Sequence, residues 1–466
     1  MRIMKFGGTS LKNAQQINRV ADIIRAQSSP PVVVVSALAG VTDQLIDMAH
    51  MAARGDEDFL RREKALEEKH IALARALMKS KSQSPVISRI ILKCNDLHDI
   101  LHGIYLVREL SPRMLDVVMS FGERLSAFIL ANVLKEKGSP AYYLDARDIV
   151  KTNRRFGHAG VDYPSTFKRI RAHFEQHTGI PVITGFIAST DQGETTTLGR
   201  SGSDFTASVF GAALNADEIQ IWTDVSGVLT GDPAKVQKAF TVSELSYEEA
   251  MELSHFGAQV VHPATMQPAL ERRIPIRIKN TFRPQDAGTV IHSGGGTWPF
   301  AIKGLSAIDE IALINVIGSG MIGETGIAGR IFSTLAGERI NIILITQASS
   351  EHSVCFAVPP SCVQRAQKAL QQEFKLELLE KRVNRIEVEG DLAIIAVVGE
   401  NMRHTPGIAG KVFMALGLRE INIRAIAQGS SELNISLVVA KKDLSPALNA
   451  IHAQFFEGGK NDAQTE

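Results

Sequence analysis

Met1-Arg2-Ile3-Met4-Lys5-Phe6-Gly7-Gly8-Thr9-Ser10 opens the chain: an apolar run that stops at a lysine, two glycines and two hydroxyls before helical periodicity takes over. Paired glycines let backbone N–H groups approach an anion closely, the following helix offers its positive N-terminal end, and Lys5 adds a mobile point charge. This is a phosphate site in outline. The Walker A pattern places its lysine after the glycines, whereas Lys5 precedes them, which argues against a P-loop fold and for another phosphoryl-transfer scaffold. A plain strand-to-helix turn would leave the same trace.

Outward from this loop, strands and helices alternate. Pro31-Val32-Val33-Val34-Val35-Ser36 is a continuous β-branched run, as in a parallel strand buried on both faces, and residues 180–187 and 218–222 read similarly. Residues 13–27 place Ile17, Val20, Ile23 and Ile24 on one helical face, and a helix over 121–137 would end at Gly138. The charge-dense stretch 57–80 reads as a solvated helix. This alternation over the first part of the chain predicts an α/β fold: a three-layer αβα sandwich around a mostly parallel sheet. Gly294-Gly295-Gly296, within turn-rich sequence, marks its boundary.

Composition narrows the function. The 466 residues carry 51 basic and 50 acidic side chains, so no electrostatic footprint for nucleic acid exists and the ligands are expected to be small. Cys94, Cys355 and Cys362 are too few and scattered for a disulfide framework, which fits a reducing, cytoplasmic setting. Charged residues interrupt the hydrophobic runs, so no membrane span is expected. His98 and His102 stand at i,i+4, but without a third ligand nearby they read as structural rather than metal-binding.

Beyond residue 296 the chain repeats itself. Gly326-Ile327-Ala328-Gly329 recurs as Gly407-Ile408-Ala409-Gly410, and the offset of 81 holds without a gap from 326–358 to 407–439, with 15 of 33 positions identical. Chance would give about two. Each copy reads as a small βαββαβ unit of ferredoxin-like type. The most alike stretch is a polar turn, Gln347-x-Ser349-Ser350-Glu351 against Gln428-x-Ser430-Ser431-Glu432, where packing alone does not ask for identity. Either fixed turn geometry or a common ligand would ask for it.

Three further polar constellations lie between. Thr195-Thr196-Thr197-Leu198-Gly199-Arg200-Ser201-Gly202-Ser203-Asp204 ends in good N-cap types for a following helix, with Arg200 able to clamp a carboxylate. Phe121-Gly122-Glu123-Arg124 puts a glutamate in the first turn of a predicted helix, where a surface carboxylate would favour the dipole. Thr223-Asp224-Val225-Ser226-Gly227-Val228-Leu229-Thr230-Gly231-Asp232 follows a strand, as a nucleotide loop does in an open α/β sheet.

As an ordered set, these motifs resemble the aspartate kinases of the amino acid kinase family over nearly the whole chain. The resemblance implies a catalytic domain over 1–293, a linker over 294–308, ACT domains, which sense amino acids, over 309–385 and 390–457, and a polar tail over 458–466. The glutamine turns are more similar to those in the kinase portion of bifunctional aspartate kinase–homoserine dehydrogenases than to those of lysine-inhibited, single-function enzymes.

The implied reaction moves the ATP γ-phosphoryl group, with Mg²⁺, to the β-carboxylate of L-aspartate. A carboxylate with a pKa of about 3.9 is already ionised at pH 7, so such an enzyme needs no general base and must position anions and neutralise charge. By the same resemblance, Lys5, Gly7, Gly8 and Asp204 serve the phosphoryl group. Arg200 clamps the substrate α-carboxylate and Glu123 its ammonium group, with Ser36, Thr42, Phe186 and Ser203 around them. Thr9, Ser10, Thr223, Asp224, Leu229, Asp232 and Gln259 match nucleotide positions. Leu229 and Gln259 depart from the family's usual Tyr and Lys, which implies a nucleotide grip weaker by about 1–3 kcal/mol if nothing compensates.

Side-by-side pairing of the ACT domains implies a homodimer or a dimer of dimers, with effector contacts at Gln347, Ser349, Gln428 and Ser430 and threonine favoured over lysine. Three alternatives stay open: a kinase acting on another small carboxylate such as glutamate, a catalytically weak amino-acid-sensing subunit, and a segment of a longer bifunctional chain.

Overall fold

Val32 to Val35 pair in parallel with Ile3 to Phe6, and both runs are buried, because a parallel sheet between helix layers has no wet face. A computed structural model describes residues 1–257, 262–294, 298–321, 324–347 and 352–457. The strands are β1 (Arg2–Phe6), β2 (Val32–Val35), β3 (Ala141–Leu144), β4 (Ile180–Thr184), β5 (Ile187–Ser189), β6 (Thr195–Thr197), β7 (Glu218–Thr223), β8 (Glu244–Ser246), β9 (Ile276–Asn280), β10 (Thr289–His292), β11 (Gly304–Ile317), β12 (Leu344–Gln347), β13 (Ser353–Val358), β14 (Arg385–Val398), β15 (Ile423–Gln428) and β16 (Asn434–Ala440). The helices are α1 (Ala14–Arg25), α2 (Val41–Arg54), α3 (Asp58–Leu77), α4 (Ser80–Val107), α5 (Pro112–Glu136), α6 (Ala146–Ile149), α7 (Tyr163–Gln176), α8 (Gly202–Leu214), α9 (Tyr247–His255), α10 (Pro263–Glu271), α11 (Ile327–Gly337), α12 (Val363–Glu373), α13 (Lys375–Leu379), α14 (Ile408–Gly417) and α15 (Leu444–Phe456).

The chain divides into two units, one comprising Met1–Val228, Ser243–Tyr247 and Val260–Gly295, the other Leu229–Val242, Glu248–Gln259 and Gly296–Glu466. Two segments ahead of the glycine run thus join the second unit, against the expectation of an unbroken first domain over 1–293. In the first unit an eight-stranded sheet runs β3-β4-β2-β1-β7-β9-β10-β8, parallel except that β10 is antiparallel to β9. Helix α8 packs on β1, β2 and β7, flanked by α7 and α10; α5 packs on β2, β3 and β4, with α1, α2 and α4 against it. This is the expected three-layer sandwich.

Residues 180–187, read as one strand, form two: β4 in the main sheet and β5 in a hairpin with β6. By length and composition α5 could cross a membrane, contrary to the reading that charges interrupt every such run. Its most apolar window is, however, 78% buried within the protein.

The second unit carries a six-stranded antiparallel sheet, β12-β13-β11-β14-β16-β15. Its two longest strands, β11 and β14, run through both repeats. Ala312 to Ile317 pair with β13 and Ile311 to Ile317 with residues 385–392, whereas Gly304 to Ile308 pair with Ile394 to Val398, with register shifts between. The second βαββαβ unit therefore takes its last strand from residues 304–308, ahead of the first repeat. That segment was expected as linker; hydrophobic pairing makes it sheet. Gly326 (φ 96°) and Gly407 (φ 86°) start α11 and α14 in the left-handed region, which is why the repeat preserves glycine there.

Leu305 is 3% exposed and shares a core with Ile395, Val412 and Leu437 of the second repeat. Leu305→Asp should cost about 3 kcal/mol or more. Hydrogen exchange should then accelerate across 392–456 and leave 311–389 protected. Loss confined to the first repeat would contradict the exchanged strand.

Candidate active site

Strand β1 lies between β2 and β7, with Phe6 opposite both Val35 and Trp222. Its C-terminal end is the point from which strand order runs outward in both directions, where open α/β sheets bind ligands. The loop is pinned on both sides: the Gly7 N–H donates to the Trp222 carbonyl (3.1 Å) and the Ser36 N–H to that of Phe6 (3.1 Å). A Cβ on Gly8 would stand 2.9 Å from the Ala37 carbonyl oxygen, so glycine is required by close approach. Gly7 is extended (φ −72°) with room for a side chain. The expected helix N-terminus at this loop is corrected: a 3₁₀ turn over Gly8–Leu11 intervenes, and the Asn13 side chain caps α1 by accepting the Gln16 N–H (3.0 Å).

Helix α8 begins at Gly202 behind Ser201, whose φ of 56° is left-handed. Ser203 and Asp204, expected as caps, instead fall inside the first turn. There Asp204 Oδ1 forms an ion pair with Lys5 Nζ at 2.7 Å, each side chain 11% exposed.

Glu123 also departs from its first-turn expectation. Ser111 caps α5 by accepting the Met114 N–H, Pro112 follows at N1, and the helix is under way well before Phe121. Glu123 is therefore mid-helix and 3% exposed. Its Oε1 accepts the Ala37 N–H (3.1 Å), while Oε2 is buried without a hydrogen-bond partner among the described residues. Burial pushes the Glu123 carboxyl up to about 8, against the opposing pull of the Ala37 N–H and the Lys5 charge.

Lys5, Ser36, Thr42, Glu123, Phe186, Arg200, Ser203 and Asp204 all line one cavity of about 660 Å³. Arg200 is exposed there, with no carboxylate partner among the described residues. Phe186 holds φ 68°, an uncommon left-handed conformation for a bulky residue, with its N–H donated to Thr206 (3.0 Å).

Nucleotide positions are less uniform. Thr9 is exposed. Ser10 is fully buried, its hydroxyl 2.7 Å from Thr281 Oγ1 and bonded to the Trp222 carbonyl, so it ties strand ends together. The Thr223 hydroxyl donates to the exposed Asp224 (3.1 Å). Leu229 and Asp232 belong to the second unit, where Leu229 bridges Thr241 and Asp232 pairs with Lys235 (3.2 Å). Gln259 and Ser349 lie outside the described residues. Gln347 and Gln428 are exposed at the ends of β12 and β15, edge strands whose Cα atoms nonetheless come within 8 Å; Ser430 is exposed beside them.

Sequence reading missed Asp116. Fully buried, it accepts the Gly157 N–H (2.9 Å) and both the N–H (3.0 Å) and hydroxyl (2.7 Å) of Thr197, fixing two stretches of cavity wall. An aspartate inside a helix gives no local signal of such long-range partners.

Residues 1–280 match the amino acid kinase family, and 314–374 and 395–455 each match an ACT domain. Bifunctional aspartokinase/homoserine dehydrogenase 1, chloroplastic, of Arabidopsis thaliana is 40% identical over 462 residues, covering 97% of this chain and 51% of that protein. Aspartokinase 1, chloroplastic, of the same plant is 33% identical, covering 98% and 80%. E. coli aspartokinase III, solved with aspartate and ADP in its R-state, superposes with a TM-score of 0.81 at 29% identity, covering 97% of this chain and 99% of that one; it is also solved with lysine and aspartate in its T-state, with a TM-score of 0.79 at 29% identity, covering 98% and 99%. The chain belongs to the amino acid kinase family and, within it, to the aspartokinases. It spans about half the length of the bifunctional relatives it matches.

The folded chain holds the Glu123 proton up to about pH 8, against an ordinary value of 4.5. Between these values the native state binds the extra proton, so this residue's contribution to stability is lost as pH rises. Glu123→Gln removes that loss. The unfolding free energy of the variant relative to wild type, measured by denaturant titration without ligands, should climb from pH 5 to 8 by of order 1 kcal/mol per pH unit. A constant difference would contradict the buried, protonated carboxyl.

Proposed function

We propose that this chain is an aspartate kinase that transfers the γ-phosphoryl group of ATP to the β-carboxylate of L-aspartate, giving 4-phospho-L-aspartate for lysine, threonine and methionine biosynthesis. The observation that carries this reading is the convergence of Lys5, Glu123, Arg200 and Asp204 on one cavity. An amino acid with a second carboxylate needs three complementary charges. Glu123 Oε2, buried and unpartnered, suits the ammonium group and becomes ionised as it binds. Arg200, exposed and unpaired among the described residues, suits the α-carboxylate with a two-pronged clamp. Lys5 then faces the β-carboxylate and the incoming phosphoryl group, and Asp204 keeps the Lys5 ammonium aimed.

Catalysis on this reading is positioning plus charge neutralisation, with no base required. Mg²⁺ arrives with ATP and needs few protein ligands. Solved complexes of E. coli aspartokinase III with aspartate and ADP support the substrate pair.

Lys5→Ala should lower kcat by two orders of magnitude or more, about 3 kcal/mol of transition-state stabilisation, in protein shown to be folded by circular dichroism. Arg200→Ala should raise KM for aspartate more than for ATP. A hydroxamate assay supplied with aspartate or glutamate reads both effects. Near-wild-type turnover in Lys5→Ala, or preference for glutamate, would overturn the assignment.

Regulation belongs to the same reading. The chain is proposed to form a homodimer, or a dimer of dimers, through its ACT domains and to be inhibited by an amino acid bound at their seam. Lysine bound to E. coli aspartokinase III supports an amino-acid effector. Threonine is favoured here by similarity to bifunctional relatives and by Gln347 and Gln428, exposed amides carrying both donors and an acceptor. Gln347→Ala and Gln428→Ala should each raise the threonine concentration for half inhibition some 5-fold or more while sparing uninhibited activity. Inhibition by lysine alone would remove the threonine assignment.

A further inference from the structure

Strands β7 and β9 have two unlike faces. Ile219, Ile221, Ile276 and Ile278 point one way and are buried, as strands of a parallel sheet should be. The opposite face carries Glu218, Gln220, Trp222, Arg277 and Lys279, with Gln220 beside Arg277 and Trp222 beside Lys279. Along the flank of α1 this polar face opens into a groove of about 840 Å³, against about 660 Å³ for the catalytic cavity, with which it shares no lining residue.

Its acceptors are already engaged. The Trp222 indole N–H donates to Gln220 Oε1 (3.0 Å), Gln220 Nε2 to Glu218 Oε1 (2.6 Å), and Arg277 Nε to Glu218 Oε2 (2.8 Å). Asp22, on the α1 wall, pairs with Lys137 at 2.9 Å. Two cations are left over. Lys279 Nζ stands 5.3 Å from the Trp222 ring and the Arg19 guanidinium 5.7 Å from that of Phe282, and neither has a carboxylate partner among the described residues. Burial, then Arg277, holds the Lys279 ammonium below its ordinary range, so an arriving anion would relieve an existing penalty. Trp222 itself is 3% exposed with its ring stacked on Phe6, so the open apolar wall of the groove is Ala26, Pro284 and Ala287, and unpaired donors beside such a wall call for an acceptor with an apolar body.

We propose that this groove is a second ligand site, taking a small organic anion whose phosphate or carboxylate meets Arg19 and Lys279 and whose apolar body lies against Ala26, Pro284 and Ala287. The proposal does not depend on the kinase reading. A kinase site is served by Lys5 and Arg200; this one draws on the sheet face behind it, and Trp222 links the two, its ring stacked on Phe6 and its carbonyl accepting the Gly7 N–H.

Trp222 is one of two tryptophans, so Trp298→Phe makes it the sole reporter. Titration of that full-length chain with phenyl phosphate, benzoate, benzyl alcohol and inorganic phosphate tests the site by fluorescence, with calorimetry on the unaltered chain as a check. We expect saturable quenching by phenyl phosphate or benzoate, whichever headgroup fits, and binding at least about tenfold weaker for benzyl alcohol and inorganic phosphate. Arg19→Met and Lys279→Met should each weaken the bound anion about tenfold, and Ala26→Phe, which fills the groove without adding a second tryptophan signal, should abolish binding. Absence of saturable binding by both methods overturns the proposal. So does equal binding of the uncharged or the body-less probe, or affinity unchanged in all three variants.

Discussion

Everything at the catalytic end of the first unit depends on how closely two backbones meet at Gly8. With a Cβ there, the Ala37 carbonyl would be pushed away, and Ala37 is the residue whose N–H holds the Glu123 carboxylate. One missing side chain thus sets the distance between the loop after β1, the loop after β2 and the middle of α5. The Lys5–Asp204 pair closes the same knot from α8. Burying such charges costs several kcal/mol each unless they are paired or neutral, and the site uses both solutions, pairing Lys5 with Asp204 and keeping Glu123 protonated.

The second unit shows a different economy of parts. A lone ferredoxin-like unit leaves sheet edges open. Here the two longest strands each serve both repeats, so the duplication cannot be cut at its sequence boundary without taking a strand from one copy. The bulges near Ile311 mark the switch of partners. This interlocking ties the two repeats mechanically, a property that a sensor of bound amino acids can use, because a shift in one repeat moves a strand of the other.

Local chemistry was legible from sequence wherever a residue's role depends on its neighbours in the chain. The β-branched run 32–35, the glycine pair, the left-handed glycines at 326 and 407 and the offset of 81 all carry their meaning within a few residues. Ser111-Pro112 was legible too: read as the start of α5, it would have moved Glu123 from a surface turn to a buried helix centre. What had no local trace were the long-range partners: Asp116 holding Gly157 and Thr197, Ser10 turned toward Thr281, and residues 304–308 completing a sheet begun far downstream.

The sequence by itself therefore determined the class of fold, the duplicated module and the residue types able to handle phosphate and carboxylate, because periodicity, glycine geometry and charge are properties of short stretches. Only the tertiary structure decided which of those side chains share a cavity, which carboxyl is protonated and which strand belongs to which repeat. The physical reason is that burial and pairing are set by what the chain brings close in space: Glu123 is an ordinary glutamate until α5, Ala37 and the Lys5 loop close around it.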